Sequence, residues 1–280
     1  LNYYIVDVFS DRPFMGNPVA VVICTKELSD YEMQQIATWF NLSETTFVSD
    51  IDESKCRYKV RIFSPGGEMP FAGHPTLGTA CAVRRHVDYS ANRIVQDCPL
   101  GLIEVRFDIE TEGVHLKSPA PVLHSMNKSQ EMQLTRILAL STQISKAAII
   151  EIGPVWITAL LQSSEEIENM QINLDAIKSF SDSLNATGIV LGAALPDMKT
   201  LKVRTFAPSV GVAEDPVCGS GNIALAMLRK QLVTETKDYI ARQGQEVGRD
   251  GEVMLSYPGG ADIELGGKTC ITAIGKLGIS

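Results

Sequence analysis

Hydrophobic and polar positions along this chain fall mostly into short alternating or wholly apolar runs broken by turn residues. Residues 4–9 alternate and predict a strand. Asp11-Arg12-Pro13 and Gly16-Asn17-Pro18 are turns, and 19–24 is a second strand, apolar throughout. Ser29-Asp30-Tyr31-Glu32 is a capping-box pattern, followed by Met33, Ile36, Ala37 and Phe40 at helical spacing. An amphipathic helix therefore starts at Ser29 or Asp30 and ends near Asn41. Residues 42–48 lead into a strand, and 58–63 form another, broken by Ser64-Pro65-Gly66-Gly67. After Gly73-His74, Pro75 suits a first helical turn. The small and apolar residues that follow predict a buried helix. Ser129 is placed to cap a helix through Leu140, and 253–257 and 262–265 read as strands separated by Pro258-Gly259-Gly260.

One stretch stands out from this alternation. Glu214-Asp215-Pro216-Val217-Cys218-Gly219-Ser220-Gly221-Asn222 runs into Ile223-Ala224-Leu225-Ala226-Met227-Leu228, with no polar face before Arg229. A helix apolar on every side is a buried one. It is expected to begin just after the Gly-Ser-Gly turn, with Ser220 or Asn222 as N-cap. Its first N–H groups lack intrahelical partners, so such an end attracts an anion.

The order of elements repeats. Lys59-Val60-Arg61-Ile62-Phe63-Ser64-Pro65 matches Lys202-Val203-Arg204-Thr205-Phe206-Ala207-Pro208 at an offset of 204 minus 61, or 143. Residues 42–48 match 184–190 at 184 minus 42, or 142, and 147–152 fall about where a copy of 4–9 belongs. A repeat of this length implies two similar domains rather than a solenoid. Strand-rich halves with one apolar helix each suggest an α+β architecture in which a sheet wraps a central helix. Pro119 and Pro121 mark a linker, giving domains 1–118 and 119–269. Whether 270–280 returns as a strand to the first domain is left open by the local pattern.

Duplication puts two buried helix starts, Gly73-His74-Pro75 and Cys218-Gly219-Ser220, in related positions. If the domains face one another, both helix ends converge on one cleft, with a carboxylate-bearing substrate as the natural occupant. The ionisable groups are unequal: Glu44 has Ala186 as its counterpart, His74 belongs to the first half, and Asp215 and Cys218 belong to the second. Each also has a plain structural role open to it. Glu44 can be solvated, His74 bonded to a carbonyl, Asp215 a turn former and Cys218 a small buried residue. A thiolate at a helix start would instead have a lowered pKa. Together they suit removal and return of a proton beside a carboxylate, without metal or cofactor.

Composition narrows the partners. A net charge of −8 without a Lys/Arg cluster argues against nucleic acid and anionic membrane. The apolar runs are too short to span a bilayer, and residues 1–10 do not read as a signal peptide. Six scattered cysteines without a C-x-x-C pair suit reduced thiols in the cytoplasm, and four scattered histidines offer no metal constellation.

Four ordered motifs then carry a resemblance: Gly16-Asn17-Pro18-Val19-Ala20-Val21-Val22, Asn41-Leu42-Ser43-Glu44-Thr45-Thr46-Phe47-Val48, Phe71-Ala72-Gly73-His74-Pro75-Thr76-Leu77-Gly78 and Glu214-Asp215-Pro216-Val217-Cys218-Gly219-Ser220-Gly221. They resemble the PhzF family of phenazine-biosynthesis-like isomerases. The resemblance implies the diaminopimelate-epimerase-like fold, two pseudo-symmetric domains each with a sheet curled around a central helix. It also implies a cofactor-independent isomerase, commonly a homodimer, acting on a small carboxylate-bearing substrate. By the same resemblance Glu44 is the general base and acid, and His74, Asp215 and Ser220 complete the catalytic set. Backbone N–H groups around Gly73 and Gly219 hold the substrate carboxylate, with Cys218 and Gly221 lining the pocket. Diaminopimelate epimerase uses one cysteine from each half. Here Gly73 looks like the first cysteine position and Cys218 occupies the second, so Glu44 is the better base. Two other readings stand beside this one: a thiol-dependent amino-acid epimerase or racemase using Cys218, and a non-catalytic binding protein on the same fold.

Overall fold

The computed structural model describes residues 1–232, 237–260 and 262–278. Two compact units emerge: Leu1–Lys117 with Gly266–Ser280, and Ser118–Leu265. Each is α+β and dominated by strands.

In the first unit the order is β1 (Asn2–Val8), β2 (Asn17–Ile23), α1 (Asp30–Phe40), β3 (Thr45–Asp52), β4 (Arg57–Ser64), β5 (Gly67–Met69), α2 (Gly73–His86), β6 (Arg93–Cys98), β7 (Gly101–Phe107) and β8 (Val114–Lys117). In the second unit β9 (Val122–Ser125) and α3 (Lys128–Ile137) come first. They are followed by β10 (Ile144–Glu151), β11 (Val155–Leu161), α4 (Ser164–Glu168), α5 (Leu174–Ser183), β12 (Gly188–Ala194), β13 (Thr200–Ala207), β14 (Val212–Asp215), α6 (Gly219–Lys230), β15 (Tyr239–Gln243) and β16 (Gly251–Ser256). Finally β17 (Glu264–Gly267) leads into β18 (Thr269–Lys276), which pairs antiparallel with β1.

The duplication is written in the pairing pattern. β1 and β2 are antiparallel, β2 and β3 parallel, β3 and β4 antiparallel, β4 and β6 parallel, and β6 and β7 antiparallel. The series β10, β11, β12, β13, β15 and β16 repeats the same alternation. β18 lies antiparallel beside β1 as β9 lies beside β10. The helices fill corresponding gaps: α1 against α4 and α5 before the parallel partner, and α2 against α6 after the short hairpin strands β5 and β14.

The central helices are buried, as their composition requires. α2 packs on β1, β2, β3, β6, β7, β8 and β18; α6 packs on β10, β11, β12 and β16. A Cβ at Gly78 would collide with Val8 and Val19, so glycine lets α2 lie against β1 and β2. β12 and β2 are covered on their other face as well. In β12, Gly192 meets Leu225 of α6, while Ile189 and Leu191 join a cluster with Leu134, Ile167, Ile177 and Phe180 from α3, α4 and α5. In β2, Val22 joins Met33 and Ala37 of α1 on the outer face. Burial on both faces explains the unbroken apolar runs that alternation alone does not predict.

Two helix starts differ from expectation. α3 is capped by Asn127, whose side chain accepts from the Gln130 N–H while Gln130 accepts from the Asn127 N–H, so Ser129 sits inside the first turn. It stops at Ile137 because Ala139 takes a left-handed conformation. α6 begins within the Gly-Ser-Gly sequence, at Gly219, and its N-cap is Cys218 rather than Ser220 or Asn222. The Cys218 sulfur accepts from the Gly221 N–H at 3.3 Å. Among the described residues no helix is long and apolar enough to cross a membrane.

Candidate active site

Each unit gathers its own constellation at the start of its central helix. In the first, Glu44 stands one residue before β3, and its backbone carbonyl accepts from the Ala20 N–H at 3.4 Å. His74 is the second residue of α2. Its Nε2 lies 3.3 Å from Glu44 Oε2, with side chains 8% and 15% exposed, so little water screens the contact. The ring also donates to the Pro18 carbonyl. Since Nε2 faces Glu44, that bond uses Nδ1, which fixes the neutral tautomer with a lone pair on Nε2. Burial drives the His74 pKa down to about 3, outweighing the Pro18 bond, so the ring stays neutral at physiological pH. α2 has Ala72 at its N-cap and no side-chain cap, and the N–H groups of Gly73 and His74 have no partner within the helix. Gln96 braces the turn, donating to Thr76 Oγ1 at 2.9 Å, and Thr76 in turn donates to the Ala72 carbonyl at 2.8 Å.

In the second unit Asp215 ends β14, and Cys218, Gly219, Ser220 and Gly221 form the start of α6. Asp215 Oδ1 accepts from the Val217 N–H at 3.0 Å. Burial pushes the Asp215 pKa up to about 6, against the opposing effect of hydrogen bonds from Cys218 and Val217. Cys218 is driven well above the ordinary thiol range, first by burial and then by the Asp215 charge. The lowered pKa expected of a thiolate at a helix start is therefore reversed: desolvation outweighs the helix dipole. Ser220 Oγ accepts from Trp156 Nε1 at 3.1 Å and lies 3.6 Å from Cys218 Sγ.

Gly73, Glu44 and His74 thus come together in the first unit, and Asp215, Cys218, Gly219, Ser220 and Gly221 in the second. The helix starts align residue by residue at an offset of 218 minus 72, or 146: Glu68-Met69-Pro70-Phe71-Ala72-Gly73-His74 with Glu214-Asp215-Pro216-Val217-Cys218-Gly219-Ser220. The counterpart of Cys218 is consequently Ala72, not Gly73 as the motif comparison suggested. Gly73 pairs with Gly219. The same hairpin is tied down in both copies by an Arg–Glu fork. Arg61 Nε and Nη2 donate to Glu68 at 2.7 and 2.6 Å, and Arg204 donates in the same manner to Glu214 at 2.8 and 2.8 Å.

Sequence reading did not identify three supporting residues. Gln243 is fully buried at the end of β15. It accepts from the Cys218 N–H at 3.2 Å and from Asn222 Nδ2 at 2.9 Å, and donates to the Asp215 carbonyl at 2.9 Å. Trp156 is 3% exposed, and Pro18 acts through its carbonyl alone. A single glutamine closing a strand carries no local signal, and neither does a backbone carbonyl. The Gly16-Asn17-Pro18 motif was the only pointer to Pro18. Among the described residues no group of three or more His, Cys, Asp or Glu is arranged to hold a metal ion.

Comparison with known proteins identifies the family of the chain. The PhzC-PhzF family, described as phenazine biosynthesis-like protein, matches residues 6–273. The trans-2,3-dihydro-3-hydroxyanthranilate isomerase of Pseudomonas chlororaphis is 32% identical over 267 residues, covering 93% of this chain and 92% of that one. Antisense-enhancing sequence 1 of Schizosaccharomyces pombe is 32% identical over 284 residues, covering 95% and 96%. The crystal structure of a PhzF-family phenazine biosynthesis protein from Enterococcus faecalis superposes with a TM-score of 0.81 at 26% identity, covering 99% of both chains. The architecture is thus PhzF-like and diaminopimelate-epimerase-like. The chain belongs to the PhzC-PhzF family of phenazine biosynthesis-like proteins, a family of isomerases.

Proposed function

We propose that this isomerase moves a proton on a small carboxylate-bearing molecule without a cofactor, and that Glu44 carries the proton. The observation that supports this most is the Glu44–His74 contact: a carboxyl oxygen 3.3 Å from an imidazole nitrogen whose neutral tautomer presents a lone pair. Two lone pairs at that distance repel unless a proton lies between them. The neutral ring can accept a hydrogen bond from Glu44 once that carboxylate has taken a proton from a substrate carbon, and until the proton is returned to another.

The balance is simple. Glu44 as carboxylate removes a proton from carbon, and the electron pair is delocalised into the substrate's π system. The same proton, or one exchanged from solvent, is delivered to a different carbon, and nothing is oxidised or reduced. The uncapped N–H groups at Gly73 favour an anionic group on the substrate. A positioned acid–base group of this kind contributes about 10²–10⁴-fold in rate. In the second unit, Asp215 with a pKa near 6 and Ser220 offer a further acid–base and hydrogen-bonding set. The thiol-dependent reading is disfavoured because burial and Asp215 both hold Cys218 as the thiol.

The Pseudomonas relative's substrate, trans-2,3-dihydro-3-hydroxyanthranilate, carries a carboxylate and is the first compound to test. Purified protein dialysed against a chelator should isomerise it, or another small carboxylate, at an undiminished rate. In D₂O, deuterium should enter the carbon that is protonated. A rate abolished by dialysis and restored by an added metal ion would refute cofactor independence.

A further inference from the structure

The C-terminal end of α2 closes on a cavity of about 290 Å³. Its walls belong to the first unit: Arg84 of α2, Ser90 and Asn92 from the loop before β6, Phe107 at the end of β7, and Asp108 and Glu112 from the turn into β8. Arg84 follows His74 by 84 minus 74, or 10, residues, about 15 Å along the helix. Glu44 and His74 take no part in this cavity. Three ionisable groups line it, and two of them have their own partners. Asp108 accepts from the Thr111 N–H at 3.0 Å, from Arg106 Nη1 at 2.7 Å and from the Glu110 N–H at 3.0 Å. Those bonds, Thr111 first, hold its carboxyl well below the usual carboxylate range. Glu112 pairs with Lys268 at 3.3 Å. Arg84 is the charge left over. Its Nε–H goes to the Tyr89 carbonyl at 3.0 Å, and Cζ lies 4.4 Å from the centre of the Phe107 ring. Among the described residues no carboxylate closes on it. Tyr89 and Phe107 together fix the plane of the guanidinium while its Nη groups keep their donors, and a fixed planar fork matches the two oxygens of a carboxylate.

We propose that this cavity is a second ligand site, separate from the candidate active site, that takes a small monocarboxylate on Arg84 Nη1 and Nη2 with Ser90 and Asn92 beside it. Size sets one limit on the ligand. Sites for drug-sized molecules run from about 300 to 1,000 Å³, and this cavity falls at the lower edge of that range. Charge sets another. The Asp108 and Glu112 carboxylates stay negative, and their repulsion penalises a dianion such as phosphate more than a singly charged carboxylate. The site stands independently of the reaction proposed above, because neither Glu44 nor His74 enters it.

The test uses the whole chain, acetate as the probe and ¹H–¹⁵N spectra, with sodium chloride at equal ionic strength as the control. Acetate should shift the Arg84 Nε–H signal and the Gly113 amide at the cavity wall together, and saturably. Arg84→Gln removes the charged fork and should weaken acetate binding, followed at Gly113, by about tenfold or more. Arg84→Lys should recover only part of that loss, because a point charge replaces the fork. Asn92 is exposed, so Asn92→Asp should leave the fold intact while its new carboxylate weakens acetate binding by a similar factor. Chloride producing the same shifts would overturn the proposal, as would parent-like affinity in Arg84→Gln or in Asn92→Asp. Phosphate binding more tightly than acetate at pH 7 would overturn the monocarboxylate assignment. Shifts confined to the Gly73 and His74 amides would place acetate at the start of α2 alone, which would overturn this site and leave the reaction proposed above standing.

Discussion

Ala72 and Cys218 hold the same N-cap position in the two central helices. In the first unit the position has no side-chain cap. In the second the thiol accepts a single N–H. A methyl-sized residue therefore suffices to start such a helix when the surrounding strands bury it. Cys218→Ala is accordingly expected to cost no more than about 1 kcal/mol in urea denaturation, the usual worth of an N-cap bond. With the thiol pKa pushed up, iodoacetamide at pH 8 should leave Cys218 unlabelled in the native protein, as read by peptide mass spectrometry. Rapid labelling at Cys218 would show a thiolate and revive thiol chemistry.

The paired Arg–Glu forks separate geometry from environment. Both are two-pronged and of nearly equal length. The Arg61 and Glu68 side chains are 35% and 34% exposed, whereas Arg204 and Glu214 are 7% and 12% exposed. Removing one partner from a buried pair strands the other charge and costs about 3–5 kcal/mol. An exposed pair contributes about 1 kcal/mol or less. Arg204→Met should therefore destabilise far more than Arg61→Met in parallel denaturant titrations. Equal losses would mean that burial does not set the cost.

Much of the fold was legible because the repeat was. Lys59-Val60-Arg61 and Lys202-Val203-Arg204 lie on equivalent strands, β4 and β13, each followed by a buried helix. The capping box at Ser29 and Glu32 marked the start of α1. Helix starts without such a box were less legible. Three candidates, Cys218, Ser220 and Asn222, compete at α6, and sequence favours the hydroxyl and amide over a thiol. In the structure Ser220 is engaged by Trp156, and Asn222 Nδ2 binds the Cys218 carbonyl and Gln243, which leaves the thiol to cap. Those partners lie 64 and 21 residues away, beyond any local pattern. The direction of the Cys218 pKa was hidden for a related reason. The dipole is visible in the helix pattern, while the depth of burial depends on strands distant in sequence.

Two titratable groups of the candidate site, His74 and Asp215, predict the pH profile of stability, with opposite signs. The His74 pKa is lowered on folding, from 6.5 to about 3, so the stability it confers is complete above pH 6.5 and is lost as pH falls towards 3. The Asp215 pKa is raised, from 3.8 to about 6, so its contribution is complete below 3.8 and is lost as pH rises through 6. Each contributes a slope of up to about 1.4 kcal/mol per pH unit within its window. Between pH 4 and 6 the two largely cancel. Asp215→Asn should remove the opposing slope and leave stability rising steadily from pH 4 to 6.5 in urea titrations. A variant with the same profile as the parent would show that Asp215 titrates normally.

The central claim is that Glu44, rather than Cys218, carries the proton. Glu44→Gln keeps size and shape but cannot accept a proton from carbon. The deciding measurement is kcat for Glu44→Gln beside Cys218→Ser, on the substrate the parent protein isomerises, with circular dichroism confirming that both fold. Glu44→Gln should lose kcat by about 10² or more while still binding a substrate analogue, and Cys218→Ser should keep most of the activity. An active Glu44→Gln beside a folded but inactive Cys218→Ser would contradict the account.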